Sequence, residues 1–156
     1  MDLNLEGKRV LVTGGSKGIG RACAEAFAAE GAKIRIASRN PPAGPDAKAV
    51  DISQRGSAET LAQWAGELDI LVNNAGAIPG GDLLKVDEDT WRRAWELKVF
   101  GYINLTRGVY AAMKQRRSGV IINIIGSAGE KLDAAYIAGS RASRFASTFT
   151  SSANAP

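Results

Sequence analysis

The 156-residue sequence has no histidine, which removes His-ligated metal sites and every Ser-His-Asp or Cys-His catalytic arrangement. Its one cysteine, Cys23, cannot close an internal disulfide, and a chain so poor in cysteine reads as cytoplasmic. No apolar run approaches the roughly 20 residues that a bilayer-spanning helix needs. The opening MDLNLEGKRV places acids ahead of the first apolar run, so no secretory leader is expected. Charge of one sign is scarce too: 20 basic against 16 acidic residues leave +4. The basic residues are spread along the chain, apart from a short cluster at Lys114–Arg117. That balance predicts a solvated surface with neither nucleic acid nor membrane as partner. Carboxylates, Lys, Tyr and Ser remain to carry any chemistry, and no metal site is expected.

What is present is an alternation of two periods. Hydrophobic residues make up 45% of the chain, ordinary for one globular domain. Lys8–Thr13 is β-branched and ends in glycines, as a buried strand does. Residues from about Gly18 to Glu30 are Ala-rich with one polar side, and Gly31 stops them as a helix C-cap would. Ala32–Ser38 alternates as a second strand. Asn40–Pro45 holds three prolines, through which no helix can run. A third strand is expected at Ala47–Ile52, a short helix at Ser57–Glu67 and a fourth strand at Asp69–Asn73. From Asp87 to Arg117 the pattern is helical, with Trp91, Trp95, Val99, Tyr102 and Thr106 as its apolar stripe. Val120–Ile125 is apolar on both faces, as a central parallel strand should be. The alternation predicts an α/β fold with a doubly wound parallel sheet.

Between the first strand and first helix stands Thr13-Gly14-Gly15-Ser16-Lys17-Gly18-Ile19-Gly20. Glycines let a backbone turn tightly and approach a pyrophosphate, whose charge sits at the helix N-terminus. Asp51-Ile52 ends the third expected strand, Asn73-Asn74-Ala75-Gly76 ends the fourth, and Ser127 and Tyr136 follow the fifth. With these features in register, the sequence resembles the short-chain dehydrogenase/reductase family over about residues 5–140. The family's TGxxxGxG loop matches Thr13, Gly14, Gly18 and Gly20, and its NNAG motif matches Asn73–Gly76. The resemblance implies a Rossmann-type nucleotide-binding fold over residues 1–140, incomplete at the C-terminus. It also implies hydride transfer between a nicotinamide cofactor and a small alcohol or carbonyl substrate.

Cofactor choice follows from charge. An NAD site places an acid about 20 residues past the glycine loop, on the ribose 2′-hydroxyl. Here the second strand ends in Ser38-Arg39, and Lys17 lies inside the loop. A cationic pair suits a 2′-phosphate, so NADP is expected, with NAD less favoured. By the resemblance, Gly14, Ser16, Lys17, Gly18, Ile19 and Gly20 form the phosphate loop. Ser38 and Arg39 take the ribose, Asp51 and Ile52 flank the adenine, and Asn73, Ala75 and Gly76 line the cleft.

The catalytic half departs from the family pattern. The family uses a tyrosine as proton donor, a serine that polarises the carbonyl, a lysine whose charge lowers the tyrosine's pKa, and an asparagine that holds a relay water. Tyr136 and Ser127 match the first two by position, with a shorter spacing than in typical members. The YxxxK motif reads Tyr136-Ile137-Ala138-Gly139-Ser140, so serine stands where the lysine should. In Glu96-Leu97-Lys98-Val99-Phe100-Gly101, Lys98 occupies the asparagine's place. Lys98 is therefore the candidate for the missing ammonium; as a residue on a helix it reads equally well as solvated.

Ten of the 16 residues in Arg141–Pro156 are Ala, Ser or Thr, and residues 141–156 read as an atypical tail. The expectation is that the gene is truncated or frameshifted there, which leaves the fifth strand as an open edge. Two rival readings follow: a nucleotide-binding or interaction module without turnover, including an inactive fragment, and a chain that self-associates through the long helix near residues 88–116.

Overall fold

The computed structural model describes residues 3–76, 80–82 and 84–126. Five parallel strands form one sheet in the order β3-β2-β1-β4-β5. They are β1 (Arg9–Thr13), β2 (Lys33–Ser38), β3 (Ala47–Ala49), β4 (Ile70–Asn73) and β5 (Val120–Asn123). The order steps outward from β1 to β3 and then crosses to β4 and β5, which is the doubly wound arrangement the sequence predicts. Such a sheet gathers the C-terminal ends of β1 and β4 beside the crossing point, where open α/β folds bind ligands.

Strand alternation divides the core into two layers. Val10, Val12, Ile70 and Val72 face α1 (Gly18–Ala29) with Ala24 and Phe27. Leu11 and Leu71 face the opposite side, where α2 (Ser57–Ala65) contributes Leu61, Ala62 and Ala65. The long helix adds Tyr102, Leu105, Val109 and Met113 to that second layer. Residues 39–46 carry turns and no helix, as the prolines there require.

Three expectations are corrected. The third strand stops at Ala49 rather than Ile52, because the Asp51 carboxylate accepts from the Ser53 N–H at 3.0 Å and hydroxyl at 2.7 Å. That local turn pulls the backbone out of the ladder. Second, the two apolar faces of Val120–Ile125 do not make β5 a central strand: among the described residues it is the outer one, pairing with β4 alone, in agreement with the open edge expected of the fifth strand. Third, the long helix is not uniform: α3 (Glu88–Trp95) and α4 (Gly101–Gln115) join through a wider π-type turn at Glu96–Phe100. There the Gly101 N–H donates to the carbonyl of Glu96, five residues back. The wider turn rotates the buried face. Ala94, Lys98, Val99, Tyr102, Leu105, Val109 and Met113 are buried, whereas Trp91, Trp95 and Thr106 of the expected stripe are half-buried. Gly101 lets this turn approach the sheet layer, since a Cβ there would stand 3.1 Å from the Ile52 carbonyl oxygen.

Candidate active site

The site begins where β1 ends. Thr13 is buried, and its hydroxyl donates to the Val72 carbonyl at 3.3 Å. The same oxygen accepts the N–H groups of Asn74 at 3.0 Å and Ala75 at 3.1 Å. Asn74 answers across the gap, its amide donating to the carbonyls of Thr13 at 3.0 Å and Gly14 at 3.2 Å. These bonds clamp the loop after β1 to the loop after β4. Gly14 has φ +67°, and a Cβ on it would meet the Ala75 Cα at 2.9 Å. A Cβ on Gly20 would run into the Asn74 amide and the Gly14 carbonyl. Gly18 has φ +56° and faces open space.

These features fit a dinucleotide. The first turn of α1 has no side-chain cap and no acid, so its free N–H groups and positive dipole end are left for an anion. Lys17 stands at the N-cap position and is exposed, as is Ile19, while Ser16 is half-buried. At the end of β2 the Ser38 hydroxyl oxygen is buried with no hydrogen-bond partner, an arrangement that costs free energy unless a ligand completes it. The exposed Arg39 follows it, and its charge reaches Asp51. Burial pushes the Asp51 carboxyl up, but the Ser53 hydrogen bonds and Arg39 outweigh it and hold the group below its usual range.

Replacing Gly20 with alanine is expected to destabilise the chain by about 1–3 kcal/mol, the usual cost of overpacking. It should also remove the protection expected from an added dinucleotide, because the displaced Asn74 amide no longer holds the loop. Thermal denaturation with and without NADPH measures both effects. A variant protected by NADPH as well as the parent would contradict the clamp.

Two residues assigned to the cofactor site have side chains engaged in the fold: Asn73, assigned to the cleft, and Ile52, assigned to the adenine. Asn73 is fully buried, and its amide donates to Thr106 at 3.2 Å and Asn123 at 2.9 Å rather than facing the cleft. It joins β4, β5 and the long helix because strand alternation turns it toward that layer. Ile52 belongs to the core, its side chain packed where Gly101 leaves room. Ala75 is half-buried and Gly76 exposed, beside the clamp.

Lys98 lies on the π-type turn and is only 6% exposed. Its Nζ donates to the Tyr102 hydroxyl at 2.7 Å and to the Ile124 carbonyl at 2.6 Å. It also stands 3.3 Å from where a Cβ on Gly76 would be. The ammonium thus sits at the C-terminal edge of the sheet, between the ends of β4 and β5, and the solvated alternative does not hold. Burial pushes its pKa down from 10.5 to about 8, because a low-dielectric setting disfavours the charged form. The Tyr102 phenol is pushed up by burial and stays protonated at neutral pH. Ser127, Tyr136 and Ser140 lie outside the described residues. Sequence reasoning missed the roles of Thr13 and Asn74, which stand within the motifs, and of Tyr102. Its spacing of four residues from Lys98 is the signal that could have found it.

The short chain dehydrogenase family model matches residues 8–155. Sorbitol dehydrogenase of Cereibacter sphaeroides is 36% identical over 148 residues, which cover 85% of this chain and 57% of that protein. The 3-oxoacyl-[acyl-carrier-protein] reductase of Escherichia coli is 34% identical over 154 residues, 87% of this chain and 63% of that protein. A solved short-chain dehydrogenase from Streptomyces avermitilis superposes with a TM-score of 0.87 at 32% identity, over 94% of this chain and 58% of its own. The chain therefore spans about three-fifths of the length of these curated relatives. Among the described residues no helix is long and apolar enough to cross a membrane, and no cluster of metal-ligating side chains occurs.

Proposed function

We propose that this chain, which belongs to the short-chain dehydrogenase family, is an NADP(H)-dependent oxidoreductase acting on a small alcohol/carbonyl pair. The observation that carries the reading is the buried Lys98 ammonium beside Gly76 at the sheet edge. Support for NADP over NAD comes from Lys17, Arg39 and the unpartnered Ser38 hydroxyl, with no acid at the end of β2 to hold a free 2′-hydroxyl.

Bound NADP(H) supplies or accepts the hydride. In the reducing direction Tyr136 passes its phenolic proton to the substrate oxygen as that oxygen gains charge. Ser127 donates a hydrogen bond to the same oxygen. Lys98 takes the place of the lysine absent at Ser140: its positive charge favours release of the Tyr136 proton. Reduction therefore needs Lys98 protonated. Its rate should hold up to about pH 8, where Lys98 loses its proton, and fall above it.

The test is oxidation of NADPH, followed by absorbance, against a panel of aldehydes and ketones across that pH range. Turnover that falls as pH rises through the Lys98 midpoint is the expected result. A second reading, a nucleotide-binding module without turnover, is favoured by Ser140 at the motif's lysine position. Saturable NADPH binding with no carbonyl reduced would select it.

A further inference from the structure

Lys98 and Tyr102 stand one helical turn apart across the junction of the π-type turn and α4. Straight α-helical neighbours at this spacing lie side by side on a surface, but both residues are buried here, at 6% and 1% exposure. The Lys98 Nζ lies 4.7 Å from the centre of the Tyr102 ring and 2.7 Å from its hydroxyl oxygen. The phenol also lies 3.5 Å from the Ile124 carbonyl, to which the lysine donates at 2.6 Å. The Ile124 N–H is in turn held by the Asn73 carbonyl at 2.8 Å, which fixes that acceptor to β4. An ammonium has three N–H donors, and these two acceptors use two of them.

We propose that Tyr102 is a positioning residue for Lys98: its phenol oxygen and the Ile124 carbonyl hold the ammonium in place and leave its third N–H for a group on the Gly76 side of the cleft. A hydroxyl suits this place better than a carboxylate. A carboxylate would form a closed ion pair and cancel the charge, whereas a neutral phenol orients the ammonium and leaves that charge in force. Burial keeps Tyr102 protonated, so the acceptor it offers is neutral. Its own proton is directed to the Ile124 carbonyl, so its oxygen lone pairs are free for Lys98. Among the described residues Tyr102 is the titratable group at this amine. The end of β5 brings the Ile124 carbonyl and the end of β4 the Gly76 backbone, neither of them charged.

The proposal rests on Lys98 being the active-site ammonium, but its test does not need turnover. Lys98 in the full chain, without cofactor, is titrated through the NMR shift of its ε-carbon. The parent should titrate near pH 8. Tyr102→Phe removes the hydroxyl and keeps the ring, and should lower that midpoint by roughly one pH unit, the value of a lost hydrogen bond to a charged group. An unchanged midpoint overturns the proposal. Should Tyr102→Phe fail to fold, the parent supplies the answer: the Tyr102 ζ-carbon shift must move at the Lys98 midpoint, and a flat response across it overturns the assignment. A shifted midpoint in a chain that reduces no carbonyl would leave the positioning role standing and remove the enzymatic reading.

Discussion

Exchanging Lys98 for methionine is expected to lower carbonyl reduction by roughly 100- to 1,000-fold, the range for loss of one group that stabilises developing charge, while making the chain more stable. The two effects have one origin. Lys98 carries a proton in the folded chain only below about pH 8, against 10.5 for an ordinary lysine. Between those values the unfolded chain binds a proton that the folded chain does not, so folding stability rises with pH there. Below about pH 8 both states are protonated and the burial penalty is complete, on the order of 3 kcal/mol. Methionine has similar length and no charge to desolvate. It leaves the Tyr102 hydroxyl able to donate to the Ile124 carbonyl, 3.5 Å away, so neither polar group is orphaned. Replacing a buried charge by an apolar side chain of similar volume is commonly neutral or stabilising. Urea denaturation at pH 7 and pH 10 reads the outcome. The parent should gain stability over that interval relative to the variant, and the variant should exceed the parent at pH 7. A variant less stable than the parent at pH 7 would mean that Lys98 is a structural residue.

The second large effect concerns the cofactor. Changing Lys17 and Arg39 together to alanine should weaken NADPH binding roughly 10- to 100-fold, since each charge-assisted hydrogen bond to a phosphate is worth about 1.5–3 kcal/mol, less for exposed groups. Binding of NADH, which lacks the 2′-phosphate, should change by less than about threefold. Both side chains are exposed, so the change should leave the fold intact and the NADPH effect should shrink as salt rises. Fluorescence titrations of each cofactor at low and high salt check this. Equal weakening of both cofactors would show that the two cations serve the pyrophosphate or the loop itself.

How much of this was legible in the residues depends on the distance over which each feature is determined. The strands and α1 were readable because β-branched runs, alanine spacing and the glycine at position 31 act within a few residues. The glycine loop was readable for the same reason, its glycines each answering a local need for positive φ or close approach. Features set by tertiary contact were not. Nothing in Glu96–Phe100 announces a π-type turn, which exists because Lys98, Val99 and Tyr102 must all meet the sheet. A lysine on a helix reads as solvated until the Ile124 carbonyl and the Tyr102 hydroxyl are seen at its amine. The Asn73 motif borders the cleft, and only tertiary contact shows that its side chain turns inward to Thr106 and Asn123. Asp51 looked like a strand end until its carboxylate was found closing a turn on Ser53.

The most direct test of the account is a titration of the purified chain with NADPH, with NADH as the control, following the fluorescence of Trp64, Trp91 and Trp95 and of the cofactor. Saturable quenching at NADPH concentrations at least about tenfold below those needed for NADH is the predicted result, since one phosphate contact is worth about that factor. It would show that the clamped glycine loop and the Ser38–Arg39 end of β2 form a working NADP site. No saturation with either cofactor would contradict the account and remove the enzymatic reading, leaving only the family relationship.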